Sequence, residues 1–291
     1  MKKRVLGWFL LCIGFLLPFC ALAEEKVVID VEKGIWEYET QGLHIIINRK
    51  EDDKIPLIWY ETELFCSEEN PLLAITQNPL RKTSRFHAPD VLARANKLVF
   101  AINDDYFLDR VYNKERPGII IRNGKLLEYE TYKSGNKRFP NLDTLAILPN
   151  GNIKVFESQE MTPTQYFEMG AQDVFAFGPI LVRGGEVNER LQTEHMETEP
   201  RVAFGIVEPF HYVCIVTEGR YELSKGVGCF DLAKMIRGMG AVEALNMDGG
   251  QTAALVFMGE KINRTGIYNN RSRIRNISSM LGAGISDLVP D

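Results

Sequence analysis

Cysteine is scarce and badly placed for cross-linking. Of five in 291 residues, Cys12 and Cys20 fall in the first 23, leaving Cys66, Cys214 and Cys229. None of the three has C-x-x-C spacing, which argues against a thiolate zinc site. An odd number permits one disulfide at most, and the spacing leaves its partners open. Long apolar runs are also lacking. One runs from Val5 to Leu17, behind Lys2-Lys3-Arg4 and ahead of Ala21-Leu22-Ala23. It is short for a bilayer helix, and Pro18 follows it. A basic start, a short apolar stretch and an A-x-A site predict a secretory signal cleaved after Ala23. A lipidated Cys20 fits poorly behind bulky Phe19. The mature chain is therefore expected to be secreted or periplasmic, with no membrane insertion.

Positive charge is lacking too. Losing the three cations of the leader takes the formal charge from −5 to −8. A mildly acidic chain without a basic run is a poor partner for nucleic acid or an anionic membrane, so any anionic ligand must meet local arginines. Walker loop, dinucleotide glycine pattern and a Ser/His/Asp order are all absent, which sets those enzyme classes aside. About 270 residues of near-average apolar content suit one large domain or two small ones.

Period-two runs rich in Val, Ile, Trp and Tyr fill the first part of the mature chain: Lys26–Val31, Leu43–Asn48, Pro56–Tyr60 and Leu72–Thr76. These are strands. Trp36 and Trp59 read as core, and His44 as buried or half-buried. Pro89 opens a helix to about Asn96, and Lys97–Asn103 is a buried strand ending in Asp104-Asp105-Tyr106-Phe107. Side chains alternate along a strand, which predicts that Asp104 and Asp105 point apart. Asn123-Gly124 and Asn150-Gly151 each sit between apolar runs, and both predict type I′ hairpins. Tyr129–Asn141 reads as a polar, mobile loop. Thr162–Gly170 is helical, and Val174–Val182 is a strand broken at Gly178-Pro179. Helix Cys229–Met239 carries Cys229, Leu232, Ala233 and Ile236 on one face, so strand, helix and strand from His211 to Asp248 form the part most like a parallel crossover. The sum is an α+β chain: a mixed, largely antiparallel sheet core flanked by a few helices in one compact domain. Residues 24–96 form its β-rich N-terminal part and 97–291 its core.

The rest of the chain is organised around Glu243–Val256. A strand brings Asp248 into a Gly249-Gly250 turn, with Gln251 and Thr252 directly after. Paired glycines admit φ > 0 and a close approach to the main chain. Asp-Gly is equally a hairpin signal. Asn246–Thr252 resembles the Asp-Gly-Gly block of the phosphodiester glycosidase family. Further blocks resemble that family in order: Asn103–Phe107, Val174–Val182, Arg201–Gly205, Glu218-Gly219 where the family usually has Asp-Gly, and Arg275 ahead of the last strand. Gln251 and Thr252 depart from the family's Gly and Ser, keeping a hydroxyl.

The resemblance implies hydrolysis at the anomeric carbon of a sugar-1-phosphodiester in a surface or extracellular glycan. It implies Asp248, Glu218 and Asp105 as catalytic carboxylates, with Asn103, Arg201, Gly249, Gly250, Thr252 and Arg275 binding substrate. Strong acid help is dispensable for so good a leaving group, and no cofactor is required. Each residue has a plainer reading. Adjacent acids can cap turns, Arg201 can snorkel at a sheet edge, and Arg271, Arg273 and Arg275 can form a solvated loop. His195 and Glu197 lie in a polar loop that could close over ligand. Two rival functions remain open at this stage. One is a phosphodiesterase cutting P–O, with Asp105, Glu218 and Asp248 holding calcium or magnesium. The other is a glycan-binding envelope protein without activity. Oligomeric state is left open. The leader itself is directly testable: N-terminal sequencing of the exported chain should begin at Glu24.

Overall fold

The computed structural model describes residues 24–80, 86–105, 118–130, 142–268 and 271–291. Alternation sets most of its strands. β1 (Lys26–Asp30), β2 (Ile35–Thr40), β3 (Leu43–Glu51) and β4 (Ile58–Phe65) form an antiparallel meander. β5 (Leu72–Ile75) leaves it, and α1 (Pro89–Ala95) leads to β6 (Leu98–Asn103), buried at every position. Then come β7 (Gly118–Arg122), β8 (Lys125–Glu130), β9 (Asp143–Ile147), β10 (Ile153–Phe156), α2 (Pro163–Glu168) and β11 (Asp173–Phe177). β12 (Ile180–Arg183), β13 (Glu186–Val187), β14 (Val202–Glu208) and β15 (His211–Thr217) precede α3 (Cys229–Gly238). β16 (Glu243–Met247), β17 (Leu255–Phe257), β18 (Glu260–Lys261), β19 (Ile267–Tyr268), β20 (Arg271–Ser272) and β21 (Met280–Ile285) complete the chain.

Nine strands make the largest sheet, in the order β1-β2-β3-β4-β15-β14-β16-β12-β13. Two five-stranded sheets, β10-β9-β11-β7-β8 and β18-β17-β6-β21-β5, pack against one face of it. The main core fills this interface, with Tyr38, Ile45, Phe100, Phe175, Phe204 and Phe257 all buried. α3 covers the opposite face of the large sheet through Cys229, Leu232, Ala233 and Ile236. α1 and α2 back the two smaller sheets. Every pairing of these strands is antiparallel, and the sheets and few helices form one compact domain, in keeping with the expected largely antiparallel α+β fold. β15 and β16 each pair antiparallel with β14 between them, so they run parallel to each other and α3 is their crossover.

One local expectation changes. Asn123 (φ +50) and Gly124 (φ +70) make a type I′ turn, but at the second hairpin Gly151 (φ +73) is left-handed and Asn150 is not. That turn is a right-handed one closed by a glycine bulge, with Gly151 N–H donating to Leu148 O at 3.1 Å. The break at Gly178-Pro179, a cis peptide, moves the chain from one five-stranded sheet into the nine-stranded one. All three cysteines are free thiols. The block Tyr106-Phe107 and the loop segment 131–141 lie outside the described residues.

Leu232 is 0 % exposed between α3 and the sheet. Leu232→Ala should lower unfolding free energy by about 2–5 kcal/mol, whereas Lys234→Ala on the outer face should change it by less than about 0.5 kcal/mol. Denaturant titration checks both.

Candidate functional site

Three strand ends and a fourth from the facing sheet meet at one corner. β14 begins directly after Pro200-Arg201, between the end of β15 and the end of β16. The double-glycine segment is no hairpin. It carries the chain out of β16 in the large sheet, through a 3-10 turn at Gly250–Thr252, into β17 of a five-stranded sheet. The glycines are required by packing as well as by φ. A Cβ on Gly249 would come within 2.5 Å of Pro200 O, and Gly250 has φ +63. Gly250 N–H donates to that same Pro200 carbonyl at 2.7 Å.

Asn103, at the end of β6, ties this turn to the opposing sheet. Its Nδ2 donates to Asp248 O at 2.5 Å, and its Oδ1 accepts from Ala254 N at 2.9 Å. Asp248 N–H donates to Asp104 O at 3.0 Å. The side-chain amide expected to bind substrate is thus engaged by the main chain on both sides of the turn.

Asp248 is 7 % exposed, and its Oδ2 has no hydrogen-bond partner among the described residues. Burial pushes its carboxyl up to about 7, against the opposing pull of Arg275, the Thr252 hydroxyl and the Gly249 N–H; Asp104 adds to the rise. The folded state therefore holds this proton more tightly than the unfolded chain. Its stabilising effect is complete below the ordinary aspartate range and is lost as pH rises through about 7. Arg275 flanks the turn, its Nη1 on Thr252 Oγ1 at 3.2 Å and its Nη2 on Gln251 Oε1 at 3.3 Å. Asp248, Gly249, Gly250, Thr252, Arg275 and Asn103 are thus brought together.

The other candidates are arranged differently. Glu218 directly follows β15 and is 4 % exposed. It accepts from Tyr60 Oη at 3.2 Å, from the Tyr221 hydroxyl and from Arg264 N at 2.6 Å. Two strand spacings across the sheet separate its backbone from that of Asp248, about 10 Å. Asp105 points into the protein. Its Oδ2 meets Arg122 Nη2 at 2.8 Å and accepts from Ala176 N at 3.1 Å. Asp104 Oδ2 meets the same nitrogen at 3.3 Å. The expected divergence of the two acids is corrected here, because β6 ends at Asn103 and strand alternation stops with it.

Arg122 was not legible as a site residue. It precedes an Asn-Gly turn, where an arginine is ordinarily solvated, yet it is 3 % exposed and lies 3.8 Å over the Phe175 ring. Arg201 lies beside the turn, but Nε donates to Val227 O at 3.3 Å and Nη2 to Glu197 O at 3.0 Å. Glu197 therefore enters through its carbonyl.

The three candidate acids do not form one ligand set. Among the described residues, Glu37, Glu39 and His44 form the group close enough to share an ion, and it lies on the N-terminal meander with Lys26 Nζ 3.6 Å from Glu39.

Residues 96–283 match the sequence model of the family described as phosphodiester glycosidase. The SPbeta prophage-derived uncharacterized protein YomE of Bacillus subtilis (strain 168) is 26 % identical over 175 residues, 59 % of this chain and 26 % of that protein. The chain thus spans about a quarter of that relative's length. Among solved structures, the catalytic domain of zebrafish N-acetylglucosamine-1-phosphodiester alpha-N-acetylglucosaminidase, auto-inhibited by its pro-peptide, superposes with a TM-score of 0.62 at 20 % identity, covering 82 % of this chain and 81 % of that one. A hypothetical protein from Synechocystis gives 0.54 at 13 % identity, covering 85 % and 63 %. The family match covers well over half of the chain and includes every residue of the corner; the chain belongs to the phosphodiester glycosidase family.

Proposed function

We propose that the chain hydrolyses the bond between an anomeric carbon and phosphate in a sugar-1-phosphodiester of an extracellular or envelope glycan, with Asp248 as the base. One observation carries this reading: a buried carboxyl keeps an oxygen without a partner among the described residues, on a glycine turn flanked by Arg275. Buried polar atoms are ordinarily satisfied, and exceptions mark places where a ligand or water completes the set. A carboxyl titrating near 7 can both take and return a proton at neutral pH.

Water on Asp248 Oδ2 gives up a proton to the carboxylate as its oxygen bonds to the anomeric carbon. The carbon–oxygen bond to phosphate breaks, and the electron pair leaves with the phosphomonoester. That leaving group is stable as an anion, so a separate acid is dispensable. Arg275 supplies positive charge next to the departing phosphate. Glu218, braced by two tyrosine hydroxyls and a main-chain amide, bounds the same sheet end and orients sugar hydroxyls through its carboxylate edge. No cofactor enters these steps. The leader-like N-terminus supports a site of action outside the cytoplasm, where phosphodiester-linked surface polymers are found. Sugar-1-phosphodiesters of the kind named for the zebrafish enzyme are the first substrates to offer.

Two measurements test this. In water enriched in 18O, the label should appear in the anomeric hydroxyl of the released sugar; label in the phosphate would assign P–O cleavage instead. As pH rises, kcat/KM should climb through a midpoint near 7, the ionisation of Asp248. Asp248→Asn should lose about a hundredfold or more, and its residual rate should show no such limb. A wild-type rate flat between pH 5 and 8 would remove Asp248 as the base.

A further inference from the structure

We propose that Arg220, not Arg201, is the second guanidinium that grips the phosphate, facing Arg275 across the double-glycine turn. The proposal rests on the phosphodiester reading above and names the residue that reads the anion. Arg220 follows Glu218-Gly219 past the end of β15, and its φ is +68. A side chain in the left-handed region is strained, so the surrounding contacts must hold it there.

Those contacts fix the guanidinium at two of its three nitrogens. Nε donates to Glu199 Oε2 at 2.5 Å, and Nη1 donates to Ile267 O at 3.3 Å. The remaining Nη2 lies against the turn: a Cβ built on Gly250 would come within 3.1 Å of it. No acceptor among the described residues takes that nitrogen. The side chain is 28 % exposed, so a ligand can reach it. Gly250 therefore has two reasons to be glycine, its own φ of +63 and the arginine laid across it. Two residues further along the same turn, Arg275 holds Thr252 and Gln251. One short segment, Gly250–Thr252, is flanked by two guanidinium groups beside the orphaned oxygen of Asp248.

Arg201 likewise keeps one guanidinium nitrogen, Nη1, without an acceptor among the described residues, but its Nε and Nη2 are turned to Val227 and Glu197 and not to the turn. Its guanidinium holds the carbonyls of Glu197 and Val227. The loop it braces is tied back by Glu199 N–H to Val227 O at 3.3 Å and Val227 N–H to Glu199 O at 3.0 Å. From that loop Glu199 reaches Arg220. Arg201 is thus a positioning residue that acts through Glu199, whereas Arg220 presents its edge to the ligand. A phosphodiester spreads one negative charge over two non-bridging oxygens, and planar guanidinium edges match that geometry where an ammonium does not. In a chain of net negative charge, such local arginines supply the attraction.

The test is calorimetric binding of inorganic phosphate to the full mature chain, together with KM for a sugar-1-phosphodiester. Arg220→Ala should weaken phosphate binding and raise KM by about 10- to 100-fold, with Arg220→Lys intermediate. Arg201→Ala should change phosphate affinity less than Arg220→Ala does, and added guanidinium should partly restore Arg220→Ala. If alanine at 220 prevents folding, judged by circular dichroism, Arg220→Lys carries the test, because it keeps the stem and the charge. Wild-type phosphate affinity in Arg220→Ala or Arg220→Lys, with Arg275→Ala impaired, would overturn the assignment and leave the glycosidase reading standing. A wild-type chain that neither binds phosphate nor cleaves any phosphodiester would instead defeat the glycosidase reading, and this proposal with it.

Discussion

The carboxamide of Asn103 is the contact on which the corner depends. It projects from the last residue of a strand in one sheet and takes a main-chain carbonyl and a main-chain amide from the turn that leaves the other. Asp248 O and Ala254 N lie too deep for water to replace those bonds. Without Asn103, each would be left unpaired at about 1–3 kcal/mol. The gain is geometric as well, because the two bonds fix where the sheets meet and hence where the Asp248 carboxyl lies. Asn103 acts on chemistry by holding the backbone that carries it.

Buried carboxylates occur here in two electrostatic settings, and the difference separates structure from function. Asp104 and Asp105 share the guanidinium of Arg122, which also donates to two main-chain carbonyls and stacks on Phe175. That cluster is compensated, and breaking it would strand a charge in the interior. Asp248 has no such direct ion pair. Arg275 bonds to the residues beside it and lowers its proton affinity only in part, so burial prevails. An acid whose carboxyl is pushed up to about 7 can change its charge state near neutrality. The contacts also differ: Asp105 is held by Arg122, and the oxygens of Glu218 are met by two tyrosines and an amide.

Backbone geometry explains which signals could be read in advance. The alternating apolar runs, the i, i+3, i+4, i+7 face of α3 and the type I′ turn at Asn123-Gly124 all follow from local periodicity or local φ, and the chain adopts them. The Asn150-Gly151 turn carries the same dipeptide with a different geometry, because Pro149 and the following bulge set the loop length. Arg122 and Arg220 gave no local signal. One precedes a turn and the other stands in a short polar loop, so each looks solvated until distant segments close over it.

The sequence alone determined the largely antiparallel core, the position of the crossover helix, and the Asp-Gly-Gly segment as the place to look. These depend on neighbours within a few residues, where side-chain alternation and glycine freedom act directly. Tertiary structure alone decided that the segment joins two sheets instead of forming a hairpin, and that Asp105 turns inward to Arg122. It also decided that the guanidinium groups of Arg275 and Arg220 lie against the turn, while that of Arg201 holds the carbonyls of Val227 and Glu197. These facts depend on which strand ends share a corner. That is set by the packing of three sheets around one core, and no stretch of neighbouring residues encodes it.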